Sequence, residues 1–327
     1  MDGPPHGRDS LRSGRAAAGA HRAMTTLALP EADAVARYRV EHVTRYVYRA
    51  PVAQSWQLAH LTPRRLPWQR VLSHGIAIEP GAETRSDGVD AWGNGLTRFS
   101  LHGPHRALSV TMRGDVEVGA RRIPDPARDE SCGGVRDAVR HDPLLDGLGA
   151  ARVVEPSGLV PWSDLARAYA QPSLDPRRGW LAGVTELMHR IHADFRFRPG
   201  ATTVSTSVDE VLAMRAGVCQ DFAHLMLACL RAHGLPARYV SGYLLTRPPP
   251  GRPRLLGADA SHAWVAAFAP GQGWVELDPT NDTLADRRYI TLAWGADFAD
   301  VVPLRGVIVG GRGQKMSVAV SVVPEGE

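Results

Sequence analysis

The chain has 327 residues, 44% hydrophobic and 22% charged, a balance that supports two domains with cores of their own. Its net charge of +4 is scattered over arginines with no Lys/Arg stripe between aromatics, which removes nucleic acid from the expected partners. No run of eighteen apolar residues implies a membrane span, and three cysteines without a pairing framework argue for a reducing, cytoplasmic setting.

Residues 1–35 are rich in Gly, Ala, Arg and Pro and show no helical or strand period, so a disordered leader is expected, with Met24 as an alternative start. From Tyr38 the pattern changes. Tyr38, Val40, His42, Thr44, Tyr46 and Tyr48 alternate with Arg39, Glu41 and Arg45, the period-two signature of a strand. Further strands are expected at 71–78, 96–101 and 108–118, with a turn at Gly93-Asn94-Gly95, giving an antiparallel β domain over 36–120. The histidines in this stretch match no metal-ligand spacing and read as packed or surface residues. Residues 121–174 are broken by prolines and Gly133-Gly134 and read as a loop-rich linker holding one short helix near 163–169. Cys132 reads there as an incidental exposed thiol.

A second domain is expected over 175–327. Asp175-Pro176 marks a helix start, and Trp180, Val184, Leu187, Met188 and Ile191 carry its apolar face. Ser207 is a plausible N-cap for a helix over 208–215. Gly217 then permits a sharp turn that delivers Cys219 to the first turn of a helix whose residues 222–230 are apolar on nearly every side. Gly234 and Pro236 end that helix. Strands are expected near 237–246, 258–268, 274–277, 289–294 and 315–323.

A thiol at a helix N-terminus faces unpaired N–H groups and the positive end of the dipole, both of which favour thiolate. His262 supplies a base on one strand and Asp278 a carboxylate on the next, in the order nucleophile, base, orienting acid. For His262 and Asp278 to share a sheet face, Phe268 must pair with Trp274, which calls for a five-residue loop over 269–273 or a shorter one with a bulge. On this reading Asp278→Ala leaves the fold largely intact and lowers turnover by orders of magnitude. Cys229 is packing. A zinc site from Cys219, His224 and Cys229 fails because five residues rotate a helix by about 500°. His224 reads as a hydrogen-bonded helix residue, and Asp221 as one that points to a backbone partner.

The stretches Gly217-Val218-Cys219-Gln220-Asp221-Phe222-Ala223-His224, Ala237-Arg238-Tyr239-Val240-Ser241-Gly242-Tyr243, His262-Ala263-Trp264 and Gly273-Trp274-Val275-Glu276-Leu277-Asp278-Pro279-Thr280-Asn281 together resemble the bacterial transglutaminase-like proteins. Residues 38–48 resemble the β domain that precedes this core in many members. The resemblance implies an α+β fold: a papain-like cysteine-protease/transglutaminase core, with a buried helix on an antiparallel sheet, behind an antiparallel β domain. Where relatives tend to carry an Arg-Asp-Tyr run, this chain has Ala296-Asp297-Phe298.

The expected chemistry is acyl transfer through a thioester on Cys219, with His262 moving the proton and Asp278 orienting the ring. The substrate is a protein or peptide amide, and water or a primary amine is the acceptor. The Cys219 N–H is one oxyanion donor; Gln220 and Trp264 are candidates for the second, and Trp264 and Trp274 for walls of the acyl channel. No acidic loop has calcium-site spacing, so neither metal nor cofactor is expected. A cysteine peptidase or amidase of the same fold and a catalytically silent peptide-binding module are the alternatives.

Overall fold

The computed structural model describes residues 35–122, 124–142, 149–246 and 261–325. The expected leader therefore lies outside the described residues, apart from Val35. The alternation that begins at Tyr38 continues well past Tyr48, producing a bent 27-residue strand, β1 (Ala36–Thr62). It is followed by β2 (Gln69–Glu79), β3 (Thr84–Val89), β4 (Gly95–Leu101) and β5 (His105–Val118). All pair antiparallel in the order β2-β5-β1-β4-β3. Val40, Leu108, Val110, Met112, Val116 and Val118 are buried on the inner face, as a period-two pattern requires.

Among the described residues of the region read as a linker are two α-helices: α1 (Cys132–His141), capped by Ser131, and α2 (Asp164–Ala170), capped by Ser163. Cys132 is buried at 4% exposure, which corrects its reading as an exposed thiol. Val135 and Val139 on the same helix are buried too. The next helix, α3 (Trp180–Asp194), starts later than Asp175-Pro176 suggested. Residues 176–178 are held outside it, since Cys132 N–H bonds Arg178 O (2.8 Å) and Gly133 N–H bonds Pro176 O (2.8 Å). The carboxylate of Asp129, distant in sequence, caps the helix by accepting from Leu181 N–H at 2.6 Å. Any side chain at Gly179 would collide with that carboxylate.

The chain continues through β6 (Arg196–Phe197), α4 (Val208–Met214), β7 (Ala216–Gly217), α5 (Cys219–Ala232), β8 (Ala237–Leu244), β9 (Ser261–Ala269), β10 (Gly273–Asp278), β11 (Thr283–Leu284), β12 (Tyr289–Gly295) and α6 (Phe298–Val301). The second sheet is antiparallel, in the order β11-β10-β9-β8-β12. Helix α5 packs on β8 and β9 on one side and on α2, α3 and α4 on the other. Every residue from Asp221 to Arg231 is buried, as its all-round apolar sequence requires. Even Arg231 is enclosed. Its guanidinium donates to Val153 O, Ala237 O and Ala296 O, satisfying carbonyls that water cannot reach.

The last two strands, β13 (Leu304–Gly310) and β14 (Gln314–Pro324), leave this core and pair with the two halves of β1. Assigning all of 175–327 to the second domain is therefore corrected: the chain returns to complete the sheet it began. Two side-chain amides tie that sheet to the core by imitating a backbone strand along β12. Gln69 donates to Thr291 O and accepts from Thr291 N–H, both at 2.8 Å. Asn94 does the same with Trp294, at 2.8 and 2.9 Å. An edge strand is thus closed without another strand.

Candidate active site

Arg215 takes a left-handed conformation (φ 52°) and ends α4, which Ser207 and Glu210 open with reciprocal capping bonds. Two residues later the chain must turn into α5. The Asp221 carboxylate makes the turn, accepting from Val218 N–H (2.7 Å) and Thr202 Oγ1 (2.6 Å). A Cβ at Gly217 would lie 2.7 Å from that carboxylate's Oδ2, so glycine is required there for close approach. Asp221 thus serves backbone geometry, as its sequence position suggested. Cys219 emerges half-buried at the first helical position.

The hairpin β9–β10 pairs Phe268 with Trp274, and one further pair, Ala269 with Gly273, leaves a three-residue loop. The register is the expected one, reached with a loop two residues shorter and no bulge. It sets His262 and Asp278 on one face, with His262 Nε2 2.6 Å from Asp278 Oδ2. Asp278 is fully buried and accepts four further bonds: from Tyr289 Oη (2.7 Å), Asn281 Nδ2 (2.7 Å), Thr280 N–H (2.9 Å) and Asn281 N–H (3.2 Å). Burial opposes its charge, yet these bonds and the His262 ring hold its pKa below the usual carboxylate value. Burial likewise opposes a charged His262. Hydrogen bonds to Asp278 and Cys219, with their negative charge, outweigh it and raise the ring to about 10. Nε2 faces Asp278, which leaves Nδ1 for the thiol.

Tyr289 and Asn281 were not singled out by sequence. Asn281 had a local signal, since it sits three residues beyond Asp278 in a Pro-Thr-Asn turn. Tyr289 had none: it lies on β12, three strands away from β10, and its ring packs on Trp264 at 5.3 Å. Trp264 is fully buried with its indole N–H given to Glu276 (2.8 Å), so it is not available to an oxyanion; its ring backs His262 at 6.1 Å. Trp274 packs on Phe268 and lies 3.9 Å from the Arg238 guanidinium, outside the cleft that holds Cys219. Gln220 does line that cleft. His224 accepts the Phe298 N–H at 3.2 Å, and burial lowers it to about 4, so it is neutral. Asp297, in the divergent Ala-Asp-Phe run, caps α6 and accepts from Leu159 N–H at 2.9 Å.

The cleft has a volume of about 290 Å³ and lies between the first sheet and the core. Cys219, Gln220, Tyr239 and His262 meet Thr44, Tyr46, Met316 and Val318 across it. Among the described residues lining it, none carries a formal charge other than a histidine. Among the described residues, no cluster of His, Cys, Asp and Glu has the geometry to hold a metal.

Two family descriptions match this chain in the order of its two sheets. Residues 38–117 match the bacterial transglutaminase-like N-terminal region, and residues 164–279 the transglutaminase-like superfamily core. The chain belongs to the transglutaminase-like superfamily. An uncharacterized Mycobacterium tuberculosis protein is 43% identical over 297 residues, covering 88% of this chain and 93% of the relative. A protein-glutamine gamma-glutamyltransferase of Pseudomonas aeruginosa is 35% identical over 128 residues, 38% of this chain and 18% of that enzyme. In fold, the chain is similar to a solved Cytophaga hutchinsonii protein described as a candidate cysteine protease: TM-score 0.72, 20% identity, 90% and 92% coverage. The transglutaminase-like core thus runs from α2 to the end of the His–Asp hairpin. The return strands β13 and β14 lie beyond both matched segments.

Proposed function

We propose that this transglutaminase-like protein transfers the acyl group of a glutamine-type carboxamide to a primary amine, through a thioester on Cys219. One observation carries the reading: a buried Asp278 holds the His262 ring at 2.6 Å, and that ring shares with Cys219 a cleft whose other described lining residues carry no charge. The ring's raised basicity makes it the acceptor of the thiol proton. The sulfur then bonds the carboxamide carbon, and the C=O pair moves onto oxygen. On collapse the C–N bond breaks and ammonia leaves with the proton from His262. The incoming amine repeats the sequence in reverse, giving its proton to the ring as the new amide forms and the thiolate departs.

Apart from the histidines, the cleft's described lining residues carry no charge, which suits a neutral carboxamide. Val218, Phe298, Val302 and Leu304 among its walls favour exclusion of water, and so an amine acceptor over hydrolysis. Glutamine chemistry is also that of the Pseudomonas aeruginosa relative.

The test is mass analysis of products after incubation with glutamine-bearing peptides, with and without a primary amine. Peptide–amine conjugates formed by the wild type and absent with Cys219→Ala support the proposal. Peptide deamidated or cut despite excess amine replaces it with hydrolysis, and unchanged peptide favours a binding role.

A further inference from the structure

We propose that the Tyr239 hydroxyl is the second oxyanion donor of this site, completing with the Cys219 N–H a hole for the tetrahedral intermediate. The inference rests on the acyl-transfer reading above and adds to it the group that receives the developing charge. The Cys219 N–H, at the first helical position, has no acceptor within its helix. A second donor is needed on the opposite side of the carbonyl oxygen, fixed before reaction.

Tyr239 lies on β8, on the sheet face that α5 covers, and lines the cleft beside Cys219. Its residue is 2% exposed, and its hydroxyl has no hydrogen-bond partner among the described residues. The hydroxyl is not sealed from solvent, as a donor that meets substrate in the cleft requires. The ring is clamped between His224, at 5.2 Å, and Phe298, at 6.2 Å. His224 is itself fixed by the Phe298 N–H. Burial, with charge on Cys219, Asp221 and Asp297 adding to it, pushes the phenol well above its usual pKa, so it keeps its proton. It lines the same cleft as Cys219 and makes no hydrogen bond to the sulfur. Gln220, the other candidate, is half-buried on the first turn of α5 and has no such clamp.

In the step itself, the sulfur–carbon bond forms as the carbonyl π pair moves onto oxygen. The phenol and the Cys219 N–H donate hydrogen bonds to that oxygen and transfer no proton. Both bonds loosen when the C=O re-forms and the leaving group departs.

Two reactions of Cys219 separate this role from a structural one. Acylation by p-nitrophenyl acetate passes through an oxyanion, whereas alkylation by iodoacetamide does not. In the full-length protein, Tyr239→Phe should slow acylation by roughly 100-fold while alkylation stays within about twofold of wild type. Gln220→Ala should change neither rate by more than a few-fold. Equal acylation of Tyr239→Phe and wild type overturns the proposal, and so does a parallel fall in both reactions. A 100-fold loss in Gln220→Ala alone would move the role to Gln220. If wild-type acylation does not exceed that of Cys219→Ala, the failure is instead that of the nucleophile assignment.

Discussion

Two of the three cysteines stand at the first position of a helix, Cys132 on α1 and Cys219 on α5. The dipole argument therefore does not tell them apart; burial and partners do. Burial, aided by the charge of Asp129, pushes the Cys132 thiol up to about 11, and burial pushes Cys229 up to about 12. Neither has a base, while Cys219 is half-buried against His262. Iodoacetamide on the folded protein should label Cys219 and spare the others, as read by peptide mass mapping. Rapid labelling of Cys132 would contradict this. Asp278 is legible as an orienting acid, but the five bonds it accepts were not. Asp278→Ala would strand the buried Tyr289 Oη, so it should cost roughly 1–3 kcal/mol of stability as well as turnover. Asp278→Asn is the gentler probe. The rate falls as pH rises through the pKa of the acid that protonates the leaving group, so the alkaline limb of kcat/KM should lie near 10, where His262 titrates. Removing the charge of Asp278 should bring that limb down toward 6.5 and lower turnover by orders of magnitude. A limb that does not move would detach Asp278 from the ring.

Among the elements, those set by local chemistry were the readable ones. Ser207 with Glu210 opens α4, the apolar run makes α5 a buried helix, and the alternation at Tyr38 makes β1. The β9–β10 register followed from the demand that two side chains share a face. What was not readable depends on distant partners. Asp129 delays the start of α3 from fifty residues away, and β3, with every residue exposed, has no period to betray it. Gly217 belongs to the readable class, and it carries a prediction. In Gly217→Ala the new methyl must displace the Asp221 carboxylate that shapes the turn into α5. Turnover should fall by about 100-fold or more through misplacement of Cys219, while the fold survives with a melting temperature a few degrees lower. Full activity in this variant would show that the turn tolerates a side chain and that Asp221 does not set the position of the nucleophile.

At the scale of the molecule, the first sheet forms one wall of the cleft and owes two of its strands to the far end of the chain. Nothing local marks β13 and β14 as partners of β1, because strand patterns specify a face and not a neighbour. His42, read as a packed or surface histidine, is packed at this junction, bonded to Tyr243 Oη and Thr44 Oγ1 at 2.9 Å each. Burial lowers it to about 4, the same direction and value as His224. A lowered histidine binds its proton more readily when unfolded, so stability should be lost as pH falls from about 6.5 toward 4. The window is distinct from that of His262, whose raised pKa contributes stability fully below 6.5 and loses it as pH rises through about 10. Melting temperatures across the acid window should decline steadily, and His42→Gln should flatten part of the slope. An unchanged slope would mean that His42 titrates alike in both states.

The central claim is that Cys219 carries the acyl group while His262 and Asp278 move and hold the proton. Its most direct test is the mass of the intact protein, acid-quenched within the first turnovers on an activated ester, followed by mapping of the modified peptide. The account predicts one acyl group per chain, on Cys219, absent in Cys219→Ala and formed orders of magnitude more slowly in His262→Ala. An acyl group on any other residue, or one formed as fast without His262, would contradict it.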